Sequence, residues 1–440
     1  RRRSAATRAR RRRAHVARRY AHVRILLATF GSLGDLHPVI ALGVELQRRG
    51  HAAAIVTSEY HRERVSKTGL GFYPAAPDLR PDDKALIRAT MDERKGPEEV
   101  VRFMVRALPQ TYADYDRAAN ADGGAHLIIT SDLAYAGPIL AQKTGLAWAS
   151  QVLSPISFLS PYDETVLPPI PWLRHLHALG PRFYGAVLGL AKHAARRLTS
   201  PINDFRLSLG LEPVRDPFFD DKHAPKLVLA MFSRLIGEPR PDWPRQAVQT
   251  GYAFYDGDEP ELSPELRAFL DGGEAPLTFT LGSAAVFDPG AFFLESAAAA
   301  RELRRRAVLL VGPAPGPAPP AGPDVAMFSY APFSKLFPRS AAIVHQGGSG
   351  TTAQAMRAGR PMVVVPYAHD QPDNALRVSG LGVSRTIRRG RYSAETLSRA
   401  LRELLDDPDV PRRCAAVRDQ LLHEDGAAAA ADAIDQRFGP

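Results

Sequence analysis

Apolar residues in this chain come in short runs separated by amphipathic stretches, and their spacing predicts the order of elements. VRILLATF (23–30) is suited to a strand buried on both faces, and the turn GSLGDLHP follows it. VIALGVELQRRG (39–50) then carries apolar residues at helical spacing and ends at a glycine. HAAAIVTS (51–58) predicts the next strand, EYHRERVSKTG a helix and GFYP a third strand. HLIITSD (126–132) and AWASQV (147–152) are strands on either side of the helical LAYAGPILAQKTG. Such alternation predicts a parallel sheet with helices on both faces. Between about 153 and 215 it gives way to a loop bearing Pro and aromatic residues, then to basic helical stretches.

KLVLAMF (226–232) closes the first half. A segment rich in Pro, Gly and Asp runs from Ile236 to Pro264, which places the interdomain linker around 255–262. The alternation restarts with PLTFTLGS (276–283), a helix near 289–304 and AVLLVG (307–312). A connector with six prolines in thirteen residues (312–324) leads to three more strands, VAMFSY, AAIVHQ and MVVVP. The fold class predicted is α/β, two tandem doubly wound Rossmann-like domains facing across a cleft. The N-terminal domain covers 24–255 and the C-terminal domain 256–440, with the last helix free to pack back on the first domain. Open parallel sheets bind ligands beyond the carboxyl ends of their strands, so two facing domains create one deep site.

Composition changes this picture little. At 440 residues, with 45% apolar and 24% charged, the chain has the size and balance of two soluble domains. No run approaches the roughly 18–20 apolar residues of a membrane span. The single cysteine, Cys414, excludes an intrachain disulfide and makes a reducing cytoplasm the expected compartment. The net charge of +10 is matched by ten arginines within residues 1–23, so the remainder is near neutral. That tail reads as a disordered, solvated extension with no role in chemistry, and no nucleic-acid partner is expected. The segment 182–198 fits either a helix on a membrane surface or a buried, cleft-lining one, so at most peripheral membrane contact is expected. The oligomeric state stays open between monomer and homodimer.

The most informative chemistry lies in AAIVHQGGSGTTAQAMRAGRPMVVVPYAHDQPDN (341–374). A strand ends before a glycine-rich turn, and a helix begins near Gly350 or Thr351. A helix start leaves unpaired N–H groups and a partial positive charge, and small residues let an anion approach them. Ser349, Thr351 and Thr352 add hydroxyl donors, and His345 at the strand end can donate to the same anion. These groups suit a diphosphate held without a divalent cation, and no metal site and no bound cofactor are expected. A second cluster, His369-Asp370-Gln371, follows the next strand and therefore lies at the same sheet edge, where Asp370 and Gln371 can bond sugar hydroxyls. A diphosphate grip beside a hydroxyl reader describes a nucleotide sugar.

The string HQGGSGTTAQAMRAGRPMVVVPYAHDQPDNA resembles the donor signature of family 1 glycosyltransferases of the two-domain GT-B type. It is most similar to the bacterial branch near the rhamnosyltransferase of rhamnolipid synthesis and the sterol and glycopeptide-aglycone enzymes. DWP (242–244), TGYAFYDG (250–257), FTLGS (279–283) and YAPFSKLFPRSA (330–341) extend the similarity over most of 24–390. The resemblance implies that His345 contacts the diphosphate, with Gly348, Ser349, Gly350 and Thr351 as its cradle and Ser283 reaching the same phosphates. It further implies that Asp370 and Gln371 bind the donor sugar, that Tyr330 stacks on the base and that Ala331 offers backbone groups to its edge. Phe333 and Gln354 depart from the Gln and Glu of plant relatives, and UDP, as in UDP-glucose, is favoured over dTDP.

Sugar transfer also needs a base for the acceptor hydroxyl. The turn Gly34-Asp35-Leu36-His37-Pro38 offers two candidates, and Asp35 takes the position where many relatives carry a catalytic His. The competing reading makes Asp35 a helix cap, and one residue can serve both ends. His37 falls one or two positions late for that role and suits a structural or acceptor contact. Asp132, after the HLIIT strand, is a candidate to orient the base or bind acceptor. The resemblance implies inversion, an α-linked donor giving a β-linked product on a small apolar or aromatic acceptor, whose pocket loop is expected in 151–173. A sugar-nucleotide 2-epimerase and a non-catalytic helper on the same fold are the alternatives.

Overall fold

The computed structural model describes residues 23–80, 83–257, 261–313, 319–320 and 322–439. The Arg-rich tail, part of the linker and part of the proline-rich connector lie outside these residues.

Seven parallel strands build the first sheet in the order β3-β2-β1-β4-β5-β6-β7. They are β1 Arg24–Ala28, β2 Ala52–Thr57, β3 Gly71–Pro74, β4 Leu127–Thr130, β5 Ala147–Val152, β6 Val228–Ala230 and β7 Ala247–Gln249. Six parallel strands build the second, in the order β10-β9-β8-β11-β12-β13. These are β8 Leu277–Thr280, β9 Ala307–Leu310, β10 Val325–Phe328, β11 Ala342–His345, β12 Met362–Val364 and β13 Ser384–Thr386. Both sheets are doubly wound, as the alternation predicts, because each must bury two faces under helices. Two strands depart from the expected pattern. β7 is a three-residue strand after KLVLAMF, so that run is not the last of its sheet, and β13 is polar.

Six helices position the site: α1 Leu33–Arg48, α2 Gly96–Asn120, α3 Pro181–Ser208, α4 Ser349–Arg357, α5 Gln371–Gly380 and α6 Gly426–Phe438. Residues of β1 alternate between two cores. Ile25 and Leu27 pack with Leu36, Val39 and Ile40 of α1, while Leu26 and Ala28 pack with Met104, Leu108 and Tyr115 of α2. Each of the Leu, Ile, Val and Met side chains among them contributes roughly 1.5–3 kcal/mol on burial. The first core also takes Ala430, Ala431 and Ile434 from α6, the last helix, which therefore returns to the N-terminal domain. Charges secure it, since Arg49 pairs with Asp432 at 2.5 Å and Asp435 at 2.9 Å, and His51 Nε2 meets Asp435 at 2.9 Å.

Helix α3 contains the segment 182–198. Its Phe183 and Leu190 point outward, 48% and 71% exposed. Its inner face packs Tyr184 and Leu188 on Leu159 and Leu173. Among the described residues no helix is long and apolar enough to cross a membrane.

Candidate active site

Chain crossings put the chemistry at two equivalent places. In the first sheet β1 and β4 are neighbours, Ala28 pairing with Thr130, and the chain leaves their ends toward opposite faces. The turn to α1 follows β1 and Asp132 follows β4. In the second sheet β8 and β11 have the same relation, with Ser283 after one and the glycine turn after the other. Neighbouring loops diverge at such a switch point, which opens a crevice there. Asp370 follows β12, beside β11, and Tyr330 and Ala331 follow β10.

The β1–α1 junction is capped from within. Ser32 is the N-cap, and its Oγ accepts from the Gly34 N–H at 3.2 Å. Asp35, three residues into the helix, accepts the Ser32 N–H on Oδ2 at 2.9 Å and completes a capping box. Gly31 has φ +125°, and a Cβ there would run into the Asp35 carboxylate. His61 Nε2 fixes the same turn through the Gly31 carbonyl at 3.1 Å.

Asp35 is only partly covered, yet it sits where the two domains crowd out water. Lost solvation leads in pushing its carboxyl up to about 7, the charges of Asp370 and then Asp132 add to it, and the Ser32 bonds oppose it. Asp132 is held by the Ser157 hydroxyl and by Lys222 Nζ at 3.2 Å. It reaches Asp35 through its field, not through a hydrogen bond. His37 meets Tyr255 edge-on at 5.4 Å between ring centroids.

The β11–α4 junction is open. Its N-cap is Gly348, no side chain caps the helix, and no acid stands in the first turn. Ser349 Oγ donates to Asp370 Oδ2 at 2.8 Å. Gln371 caps its own loop, with Oε1 accepting the N–H groups of Tyr367 at 2.8 Å and Ala368 at 3.1 Å, so only its amide N–H groups are left for a ligand. His369 carries φ +59°, a strained value for a non-glycine residue, and its ring bonds the Thr90 backbone of the other domain. His345 is wholly buried. Its Nδ1 accepts from the Gly347 N–H at 3.0 Å, and burial lowers its pKa to about 3, which keeps the ring neutral. In this arrangement His345 supports the turn from behind instead of lining the cavity.

The two junctions face each other. The Leu33 N–H donates to Ser283 Oγ at 3.1 Å, and a Cβ on Gly350 would lie 3.6 Å from Gly34 Cα. Beside this contact opens a cavity of about 610 Å³. Of the predicted residues, His37, Ser283, Tyr330, Ser349, Gly350 and Thr351 line it. Asp35, Asp132, His345, Gly348, Ala331, Asp370 and Gln371 stand outside that lining. Within 151–173 only Leu153 lines it, so this cavity does not use the loop expected to form the acceptor pocket. Tyr60, Leu79, Ile87, Met91 and Met231 form its apolar wall in the N-terminal domain.

Further residues complete the arrangement. Gln354 Nε2 and Arg357 both bond Asp256, at 3.1 and 2.8 Å, which leaves the buried Gln354 Oε1 without a partner among the described residues. Asn374 is buried against the glycine turn. Asp256 and Asn374 lie within strings that carry the family resemblance but have no role implied by it, and nothing local marks His61, because their bonds to Gln354, Gly347 and Gly31 join segments distant along the chain. Among the described residues no group of three His, Cys, Asp or Glu is arranged to hold a metal ion.

Known proteins match this arrangement along nearly the whole chain. Residues 25–148 match the glycosyltransferase family 28 N-terminal domain, and 319–434 match the erythromycin biosynthesis protein CIII-like C-terminal domain. The chain is 32% identical over 428 residues to O-mycaminosyltylonolide 6-deoxyallosyltransferase of Streptomyces fradiae, covering 94% of this chain and 97% of that one. It is 32% identical over 423 residues to the vancomycin aglycone glucosyltransferase of Amycolatopsis orientalis, covering 93% and 96%. The crystal structure of Streptomyces sp. SF2575 glycosyltransferase SsfS6 complexed with thymidine diphosphate shares the fold, with a TM-score of 0.61, 18% identity and coverage of 94% and 100%. Two facing Rossmann-like sheets, switch-point junctions in contact and relatives aligned over nearly the full length place this chain in the GT-B glycosyltransferases with a family 28 N-terminal and an erythromycin CIII-like C-terminal domain.

Proposed function

We propose that the enzyme transfers a sugar, with inversion, from a nucleoside diphosphate sugar to a hydroxyl of a small apolar natural product. The observation that carries this reading is the contact between an uncapped helix start and a capped one bearing a carboxyl near neutrality. The free N–H groups of α4, with Ser349, Thr351 and Ser283, bind the diphosphate. Tyr330 stacks on the base and Ala331 offers it backbone groups. The unpartnered Gln354 Oε1 accepts from a ribose hydroxyl. Asp370 accepts from the sugar hydroxyls, and Gln371 donates to them. His345 acts by holding the turn in shape.

In the transfer step the acceptor oxygen bonds the anomeric carbon while its proton passes to Asp35, whose Oδ1 is not used by the capping box. The bond from the anomeric carbon to the phosphate oxygen breaks, and its electron pair leaves with the nucleoside diphosphate. Attack opposite the leaving group turns an α-linked donor into a β-linked product. Asp35 supplies about 10²–10⁴ of the rate. Dipoles arranged before the reaction stabilise the leaving diphosphate without a divalent cation. The relatives named for O-mycaminosyltylonolide and for the vancomycin aglycone, together with the apolar wall of the cavity, support an apolar natural-product acceptor.

UDP is the first donor to test, and the thymidine diphosphate bound by a structural neighbour makes dTDP the second. Calorimetry with UDP- and dTDP-glucose, followed by turnover with an aglycone panel in the presence of EDTA, tests the whole reading. Binding of neither donor, or turnover lost to EDTA, rejects it.

A further inference from the structure

One buried amide joins the two halves of the site. Asn374, on α5, is 1% exposed. Its Nδ2 donates to the Gly347 carbonyl at 2.9 Å and to Asp370 Oδ2 at 2.8 Å, with Ser349 Oγ at 3.3 Å. Its Oδ1 accepts from Ser154 Oγ at 3.1 Å, and Ser154 belongs to the other domain. Three acceptors on one side fix the orientation of the amide. If it were flipped, a carbonyl oxygen would face another carbonyl and a carboxylate.

The same helix is seated on the N-terminal domain through charges. Asp373 accepts the Val166 N–H at 2.9 Å and pairs with Arg377 at 2.6 Å. Arg377 in turn bonds Asp163 at 2.8 Å and the Ile236 carbonyl at 2.9 Å. The register of Asn374 against Ser154 therefore depends on how the two domains sit together.

We infer that Asn374 is a positioning residue that couples domain seating to the grip on the donor sugar. When the N-terminal domain seats, the Ser154 hydroxyl holds and polarises the amide. The amide then holds the Gly347 turn and the Ser349–Asp370 pair in place for the sugar. This rests on the donor roles proposed above for Ser349 and Asp370. It also ties a firm sugar grip to the arrival of the domain that carries Asp35 and the acceptor.

The probes are UDP or dTDP, whichever the wild type binds, and the matching glucose conjugate, with Kd measured by calorimetry. Ser154→Ala is expected to weaken the conjugate about fivefold and the bare diphosphate less than about twofold, in proportion to one lost hydrogen bond. Ser154→Thr keeps the hydroxyl and is expected to restore the difference. In an Asn374→Ala background Ser154→Ala should cost nothing further, because the relay is already cut.

Equal losses for both probes, or effects that multiply in the double variant, overturn the inference. If Asn374→Ala does not fold, a cycle of Ser154→Ala with Asp370→Asn makes the same decision, with non-additive effects expected and additive ones overturning it. The donor assignment fails separately. If Ser349→Ala and Asp370→Asn both leave conjugate affinity unchanged, that assignment falls and takes the relay with it. Donor loss at those positions with additive Ser154 effects removes the relay alone.

Discussion

The β1–α1 and β11–α4 junctions share one architecture and have opposite chemistry. Each is a strand, a glycine-bearing turn and a helix start at a switch point of its sheet. At α1 the capping box of Ser32 and Asp35 answers the exposed N–H groups with the chain's own carboxylate. At α4 a glycine N-cap and an acid-free first turn leave them open. A helix start satisfied from within repels an outside anion and presents a side chain. A helix start left open recruits an anion instead. Facing one against the other sets a carboxyl beside an open helix start, although the two sequences look alike as strand–turn–helix units.

Four changes would break or sharpen this contrast. The largest effect is expected from Asp35→Asn, which keeps the shape of the turn but removes the base. Turnover should fall about 10²–10⁴-fold while donor Kd moves less than about twofold, and intact turnover by this variant would remove Asp35 from its role. Next is Thr351→Asp, which places at α4 the carboxylate that α1 carries at the equivalent third position. Nucleoside diphosphate affinity should drop about 100-fold by calorimetry with the melting temperature kept or raised, because the new acid caps the helix and excludes the ligand.

The third is pH. Asp35 must be ionised to act, so kcat/KM should fall about tenfold per unit below a limb near 7, where burial sets its carboxyl. In Asp370→Asn one repelling charge is gone and the limb should move to lower pH, whatever happens to the rate. For stability the sign is reversed. The folded state holds this proton from its unfolded value near 3.8 up to about 7, so the Asp35 contribution to stability declines as pH rises through that window. The smallest effect is that of Ser32→Ala, which removes the N-cap hydroxyl and should cost about 1 kcal/mol in denaturant unfolding. A neutral result there would mean that the Asp35 carboxylate caps the helix unaided.

Much of this was legible in the chain. Runs such as HLIIT and MVVVP are strands because a parallel strand covered on both faces is apolar throughout. β7 (AVQ) and β13 (SRT) escaped because three residues with polar members among them carry no period to recognise. The glycine turn was legible as a strand–helix junction because small residues stand at consecutive positions there. The place of His345 was not legible. A histidine at a strand end looks the same in sequence whether it faces the cleft or turns inward, and this one lies inward with its Nε2 against Met362 Sδ at 3.4 Å.

The sequence alone therefore determined the two doubly wound domains and the small-residue turn at 348–351 through local spacing and residue size, and it pointed to Asp35 through the family resemblance. Only the tertiary structure decided that Asp35 titrates near 7, that Asp370 repels it, and that Ser154 reaches Asn374 across the domain boundary. Those properties depend on solvent excluded and charges gathered by segments more than 200 residues apart, as the Ser154–Asn374 separation of 220 shows. Distances of that kind are set when the two domains close on each other.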